Sequence, residues 1–272
     1  MGGAPREEVR AWRPAVPGIT EVFHARFTEH AYPSHTHDAW TLLIVDDGAV
    51  RYDLDRHEHG ALPSSVTLLP PHVAHDGRSA RPGGFRKRVV YLDDAVLRAP
   101  DARPLAGRAV DHPALDDPLL RRRVDQLHRT LDHAGDELAA QSRLAFITER
   151  LAAHLGAHRP AGPRRDPGLA HRLRELLDAR LPAGVGLDEA ARVLHAHPTH
   201  LVRAFSAEFG LPPHRYLTGR RVDLARRLVL AGVPPAEVAD AAGFHDQSHL
   251  TRHFRRVTGT TPGRFARRGA DR

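Results

Sequence analysis

The chain has 272 residues, 41% hydrophobic and 27% charged, a globular balance with enough length for two domains that each bury a core. It contains no cysteine, which excludes disulfides, thiolate catalysis and cysteine-bound zinc and favours a reducing, cytoplasmic setting. The start, MGGAPREEVRAWRP, carries acids where a leader would be apolar, and no uncharged run approaches the ~18 residues of a membrane span. The expectation is a chain that is neither targeted nor inserted. Net charge is +7, and its distribution is uneven: from Arg164 onward there are 19 arginines against 11 acids, while residues 1–163 sum to −1. The basic excess, and with it any phosphate-binding surface, belongs to the C-terminal part.

From Val22 to Leu92 short β-type segments alternate with turn signals, the pattern of an antiparallel sandwich or small barrel. TLLIVDDGAVRYDL is expected to form a hairpin, with Thr41 to Val45 apolar and β-branched, Asp46-Asp47-Gly48 turning and Val50, Tyr52 and Leu54 alternating. A second turn is expected at His59-Gly60, ahead of SVTLLPP, and FRKRVVYL closes the set; Lys87 within it is the only lysine of the chain. The period then changes to that of a helix. Asp117 before Pro118 is an N-cap, and Leu119, Leu120, Val124, Leu127 and Leu131 form one stripe that Gly135 ends. A second helix over 136–155 carries Leu138, Leu144, Ile147, Leu151 and Leu155. The two helices either pack on the β domain or form a dimer seam. RPAGPRRDP at 159–167 is polar and proline-rich, a linker.

Beyond it the chain repeats itself. HLVRAF at 200–205 returns as HLTRHF at 249–254, and the offset of 49 also pairs Gly210 with Gly259, Pro213 with Pro262 and Arg215 with Arg264. Each copy reads as a short helix, a tight turn and a longer helix: Asp188 to Leu194 then Pro198 to Phe209, and Pro235 to Ala242 then Gln247 to Val257. Leu201, Phe205 and Phe209, and likewise Leu250, Phe254 and Val257, lie at core spacing. The opposite faces offer Thr199, Val202, Arg203 and Ser206 in the first copy and Ser248, Thr251, Arg252 and Arg255 in the second, groups suited to base edges and phosphates. A solvated arginine face on an ordinary bundle is the alternative, and the duplication together with the local charge counts against it. Between the copies a single helix is expected, with Leu217, Leu224 and Leu228 inward and Gly232 with Pro234 as its stop.

These residues resemble the DNA-binding domain of the AraC/XylS transcriptional regulators. The resemblance covers 167–268 and is densest in AGFHDQSHLTRHFRRVTGTTPGRFARR: Ala239 four before Gly243, the Gly243-Phe244 turn, Gln247-Ser248 opening the recognition helix, then Gly259 and Pro262. It implies double-stranded DNA as partner, RNA polymerase as well for an activator, and base contacts from Thr199, Val202 and Arg203 in the first copy and Gln247, Ser248, His249 and Arg252 in the second. His249 reads equally as packing, like its repeat partner His200. At His195 the chain departs from the family's turn glycine, which predicts a looser first turn.

The β segment is similar, more loosely, to the cupin-like sensor that such regulators carry, in the order HTHD, apolar strand, DDG, LLPPHVAH. His35 and His37, two apart, and His75 on a later strand suit either the polar lining of an organic ligand pocket with Trp40 and Tyr52 nearby, surface positions, or a three-histidine metal site. The glutamate that follows the first histidine pair in cupin enzymes is absent, Trp40-Thr41-Leu42 standing there. The expected fold class is α+β multidomain: a cupin-like all-β barrel at 1–116, two amphipathic helices at 117–158, a linker at 159–166, and an all-α domain at 167–268 with helix-turn-helix units at 187–209 and 235–257 around a linker helix at 213–231. The expected function is a regulator with no catalytic residues and no cofactor, responding to a small-molecule effector, as monomer or homodimer. The rival is a cupin metalloenzyme holding its metal with His35, His37 and His75.

Overall fold

In the computed structural model, which describes residues 7–97, 102–156 and 166–270, the chain divides into two units. One comprises Met1–Arg129 with Phe146–Pro160, the other Thr130–Ala145 with Ala161–Arg272. The helical piece at 117–158 is thus shared, its middle joining the C-terminal residues. The linker expected at 159–166 lies, except for Asp166, outside the described residues.

Among the described residues the first unit holds ten strands: β1 (Glu8–Trp12), β2 (Ile19–Phe27), β3 (Tyr32–His35), β4 (Trp40–Gly48), β5 (Val50–Leu54), β6 (His57–Ala61), β7 (Val66–Leu69), β8 (His75–Ser79), β9 (Phe85–Leu92) and β10 (Ala114–Leu115). They form an antiparallel sheet ordered β1-β2-β9-β4-β7-β10 and another ordered β3-β8-β5-β6. The hairpin expected across Asp46-Asp47-Gly48 does not exist, because β4 and β5 lie in different sheets. Gly48 makes a corner at φ 73°, and a Cβ there would overlap the Gly84 carbonyl oxygen, so the chain leaves one sheet for the other at a point only glycine fits. The true hairpin joins β5 to β6 through Asp55 and Arg56, at φ 48° and 70°, the two positive values a type I′ turn requires. His59 and Gly60, expected to turn, sit inside β6 opposite Tyr52 and Arg51. Helix α1 (Ala102–Asp111) was not foreseen.

Helices α2 (Pro118–Leu131) and α3 (Glu137–His154) follow the expected bounds closely. Asp117 caps α2, its Oδ1 accepting from the backbone of Leu119 and Leu120 at 3.1 and 3.0 Å, while Oδ2 takes the Nε–H of Arg150 and, at 2.6 Å, Nε2 of His154. Burial raises the carboxyl's pKa, but these donors outweigh it and hold the group well below the usual carboxylate range. Its contribution is therefore complete above the unfolded pKa of about 3.9 and lost as the pH falls below it. Asp117→Ala removes a cap worth about 1 kcal/mol and strands Arg150 and His154, for a total near 3 kcal/mol. Both tryptophans, Trp12 and Trp40, lie in this unit, so the loss is expected in urea unfolding followed by tryptophan fluorescence. An unshifted midpoint would contradict it.

The second unit contains α4 (Pro167–Ala179), α5 (Leu187–Val193), α6 (Pro198–Phe209), α7 (Pro213–Leu230), α8 (Pro235–Ala241), α9 (Gln247–Thr258) and α10 (Pro262–Ala270). Asp166 and Asp246 cap α4 and α9 by accepting from the backbone three residues on, and prolines open α4, α6, α7 and α8. Phe205 and Phe254, both fully buried, anchor the two helix-turn-helix units, against Phe209 and Tyr216 and against Phe265 respectively. Val257, expected in the core, is 56% exposed. It lies in the last turn of α9, one turn beyond Phe254, where the buried stripe has ended.

Candidate functional site

α6 and α9 of the second unit are entered in the same way. Each follows a short helix across a turn closed by the same bond, Ala196 N–H to the Ala191 carbonyl at 3.0 Å and Phe244 N–H to the Ala239 carbonyl at 2.8 Å. The residue enclosed is left-handed in both, Gly243 at φ 76° and His195 at φ 49°. The turns match at an offset of 48, but the N-caps, His197 and Asp246, match at 49, so the second turn is one residue longer.

The groups expected to meet DNA are not equivalent. Gln247, Ser248 and Arg255 are exposed, and Thr251 and Arg252 half-buried. In the first copy Arg203 and Ser206 are half-buried, but Thr199 and Val202 are each 3% exposed. Those two drop out of the base-reading set in this conformation, because a side chain without exposure does not reach a base edge; Thr199 instead meets His197 Nδ1 through its hydroxyl at 2.9 Å. His249 is also buried, its Nδ1 accepting the His245 backbone N–H at 3.1 Å, so its role is packing.

The 130–145 segment touches both helix-turn-helix units. Gln141 Oε1 accepts the Leu187 N–H at the start of α5, which has no side-chain cap of its own. Asp136 sits against α9: Oδ2 accepts from Arg252 at 3.0 Å, and Oδ1 faces Nε2 of His253 at 3.0 Å and of His249 at 3.4 Å. Burial pushes the Asp136 carboxyl up, but the two histidine hydrogen bonds and the charges of His253 and Arg252 hold it far below the ordinary range. An acid therefore occupies the arginine that the resemblance assigns to a base.

In the first unit a cavity of about 160 Å³ opens between the two sheets. On β2, β4, β7 and β9 every lining residue is odd-numbered, among them Phe23, Thr41, Leu43, Lys87 and Tyr91, and on β5 both, Val50 and Tyr52, are even-numbered, as the two-residue period of a strand dictates. His35, His37 and His75 converge there, their nearest nitrogens within 4.8 Å of one another. Trp40, expected beside them, is not in the lining: as the even-numbered neighbour of Thr41 it is buried on the other face of β4. Unforeseen were Lys87, Tyr32 and Tyr91. The signal for Lys87 was present, the chain's lone lysine on the face of β9 that otherwise carries Phe85, Val89 and Tyr91.

Comparison with known proteins fits this geometry. Residues 17–147 match the family profile of the AraC-like ligand binding domain, and 190–268 match that of a helix-turn-helix domain. The molecule is a DNA-binding transcriptional regulator with a β-rich ligand-binding domain, and not an enzyme. It belongs to the AraC/XylS family. The chain is 22% identical over 241 residues to the HTH-type transcriptional regulator YbfI of Bacillus subtilis, covering 85% of each, and 24% identical over 258 residues to the HTH-type transcriptional activator RhaS of Yersinia pestis, covering 89% of this chain and 91% of that one. Among solved structures it resembles the C-terminal domain of AraT, a response regulator from Geobacillus stearothermophilus, at 25% identity and TM-score 0.36 over 39% of this chain and 88% of that one. No helix among the described residues is long and apolar enough to cross a membrane.

Proposed function

We propose that the protein is a cytoplasmic activator whose β-domain cavity binds a small molecule and whose α9 face reads DNA through Gln247, Ser248, Thr251, Arg252 and Arg255, with Arg203 and Ser206 of α6 adding contacts. The observation that carries the reading is the exposed polar face of α9 in the unit that also holds the basic excess. The activator role draws on the likeness to RhaS, and an activator takes RNA polymerase as a partner; the working form is proposed as a homodimer, with the paired helices 117–158 as its seam. Domain limits near 116, 158 and 166 go with this reading, with 130–145 working alongside the DNA-binding helices.

Binding of the full chain to its selected operator is expected to weaken steeply with salt, log Kd changing by about 0.9 per phosphate contact for each decade of salt. Fluorescence anisotropy between low and physiological salt measures it. A flat dependence would remove DNA from the reading. A metalloenzyme reading keeps one supporting observation, the convergence of His35, His37 and His75, but these nitrogens come with no acidic ligand and with the Lys87 ammonium close enough to depress His37 and His75.

A further inference from the structure

The cavity between the two sheets is specific in its chemistry. Lys87 has a desolvated ammonium, its pKa pushed down to about 8 by burial, and among the described residues no carboxylate pairs with it. Its recorded neighbours are aromatic faces, Tyr32 at 4.0 Å, Phe23 at 5.7 Å and Phe85 at 5.9 Å. Of the two acids in the same lining, Asp76 is engaged by the Asp53 N–H at 2.8 Å and by Arg78 at 3.5 Å, and Glu21 lies by Tyr91. A half-buried, desolvated cation facing a cavity without a counter-ion is a costly arrangement that a bound anion relieves.

The histidines complement it. Nδ1 of His35 lies 2.7 Å from the Pro33 carbonyl, and Nδ1 of His75 lies 3.0 Å from the Val73 carbonyl. A carbonyl only accepts, so both Nδ1 atoms carry the hydrogen, and the neutral rings leave Nε2 as a bare lone pair. Burial holds His37, at about 4, and His75 on the neutral side of pH 7. The hydroxyls of Tyr32 and Thr41 line the cavity and have no hydrogen-bond partner among the described residues. The site thus presents one cation, converging acceptors and two adaptable hydroxyls. At ~30 Å³ per water a space of this size holds about five waters, which fits a molecule of a few carbons.

We propose that the β-domain cavity binds a small hydroxycarboxylate, its carboxylate paired with Lys87 and its hydroxyls donating to Nε2 of His35 and His75 and to the imidazole of His37. This rests on the effector-controlled reading above and names the effector's class. A metal ion on the same three nitrogens is the rival occupant, and it would add positive charge beside Lys87 with no acid among its ligands.

The test uses full-length, EDTA-treated protein and three matched series: glycerate, threonate and gluconate; glycerol, threitol and sorbitol; propionate, butyrate and hexanoate. Thermal shift and calorimetry are expected to show saturable binding of at least one hydroxy acid, with its neutral polyol and its unhydroxylated acid weaker by about tenfold or more. Lys87→Met is expected to lose that binding while retaining salt-dependent DNA binding without any addition, so a failure here is distinguishable from a failure of the regulator reading. If that variant misfolds, the wild-type pH profile serves. Affinity should hold below about pH 8 and then fall about tenfold per unit as Lys87 loses its proton, since the anion favours the charged form. Of the facing groups, His37 and His75 are already neutral there, the Tyr32 phenol is pushed far up and Tyr91 to about 12; His35, Glu21 and Asp76 also line the cavity. Equal binding of polyol and acid, undiminished binding by Lys87→Met, binding restored only by added zinc or manganese, or no binding in any series would each overturn the proposal.

Discussion

Gly243→Ala is expected to destabilise the helical unit by about 3 kcal/mol or more, against a typical mutational cost near 1 kcal/mol. Two costs add. The residue sits at φ 76°, where an L side chain costs roughly 1–2 kcal/mol. A Cβ there would also overlap the Pro182 carbonyl oxygen, a backbone atom held in place by the Arg221 Nε–H at 2.9 Å. Neither side yields cheaply, so the turn that aims α9 shifts and operator binding falls with it. Helical circular dichroism should unfold at lower urea while tryptophan fluorescence, confined to the β unit, keeps its midpoint. The reciprocal change separates strain from packing: His195 holds the same left-handed position at φ 49° but is exposed. His195→Gly should raise stability by about 0–1 kcal/mol, relieved strain offsetting the extra freedom of the unfolded glycine. A destabilised His195→Gly would show that the side chain, not the backbone angle, matters in the first turn.

Arg252→Ala is expected to weaken operator binding by roughly 1–3 kcal/mol, about 5- to 150-fold, with a much smaller loss on random DNA. Equal losses on both would make it a phosphate contact. Asp136→Asn should act in the opposite direction. Asp136 engages Arg252 at 3.0 Å on a side chain 33% exposed, a partly screened pair whose release is worth about 0.2–1 kcal/mol; removing an acid near phosphates adds to that, for a gain of about 3- to 10-fold in affinity. The gain should vanish in the Arg252→Ala background, since a coupled pair is not additive. The same substitution lowers the stability of the helical unit, because the two histidines lose a charged acceptor. Weaker binding by Asp136→Asn would mean that the acid orients Arg252 for DNA. Because the Asp136 carboxyl is held far below its ordinary range, the contact persists at neutral pH and also through the range near pH 4 in which ordinary carboxyls take up a proton.

Much of the architecture was legible because it rests on local signals. The repeat, the charge division and the cap at Asp117 placed α2, α6, α7 and α9 to within a residue or two. The strand alternation that marked Tyr52 also marked Lys87, which was passed over because charge on a strand reads as exposure when the sheet partner is unknown. The failures share a cause. TLLIVDDGAVRYDL carries good hairpin chemistry, yet Gly48 turns a corner between sheets because Gly84, just ahead of β9 and far along the chain, approaches it. Thr199 and Val202 have recognition-helix spacing, yet spacing says nothing of what lies over a face.

The residue pattern alone therefore determined that this chain is a β domain followed by a doubled helix-turn-helix, since periodicity, capping and duplication act within a few turns of backbone. Contacts across long separations decided the rest: which face of α9 stays open, that Asp136 holds Arg252, and that Lys87 shares one cavity with three histidines from β3, the loop after it and β8. Burial and pairing are properties of neighbours that only folding brings together.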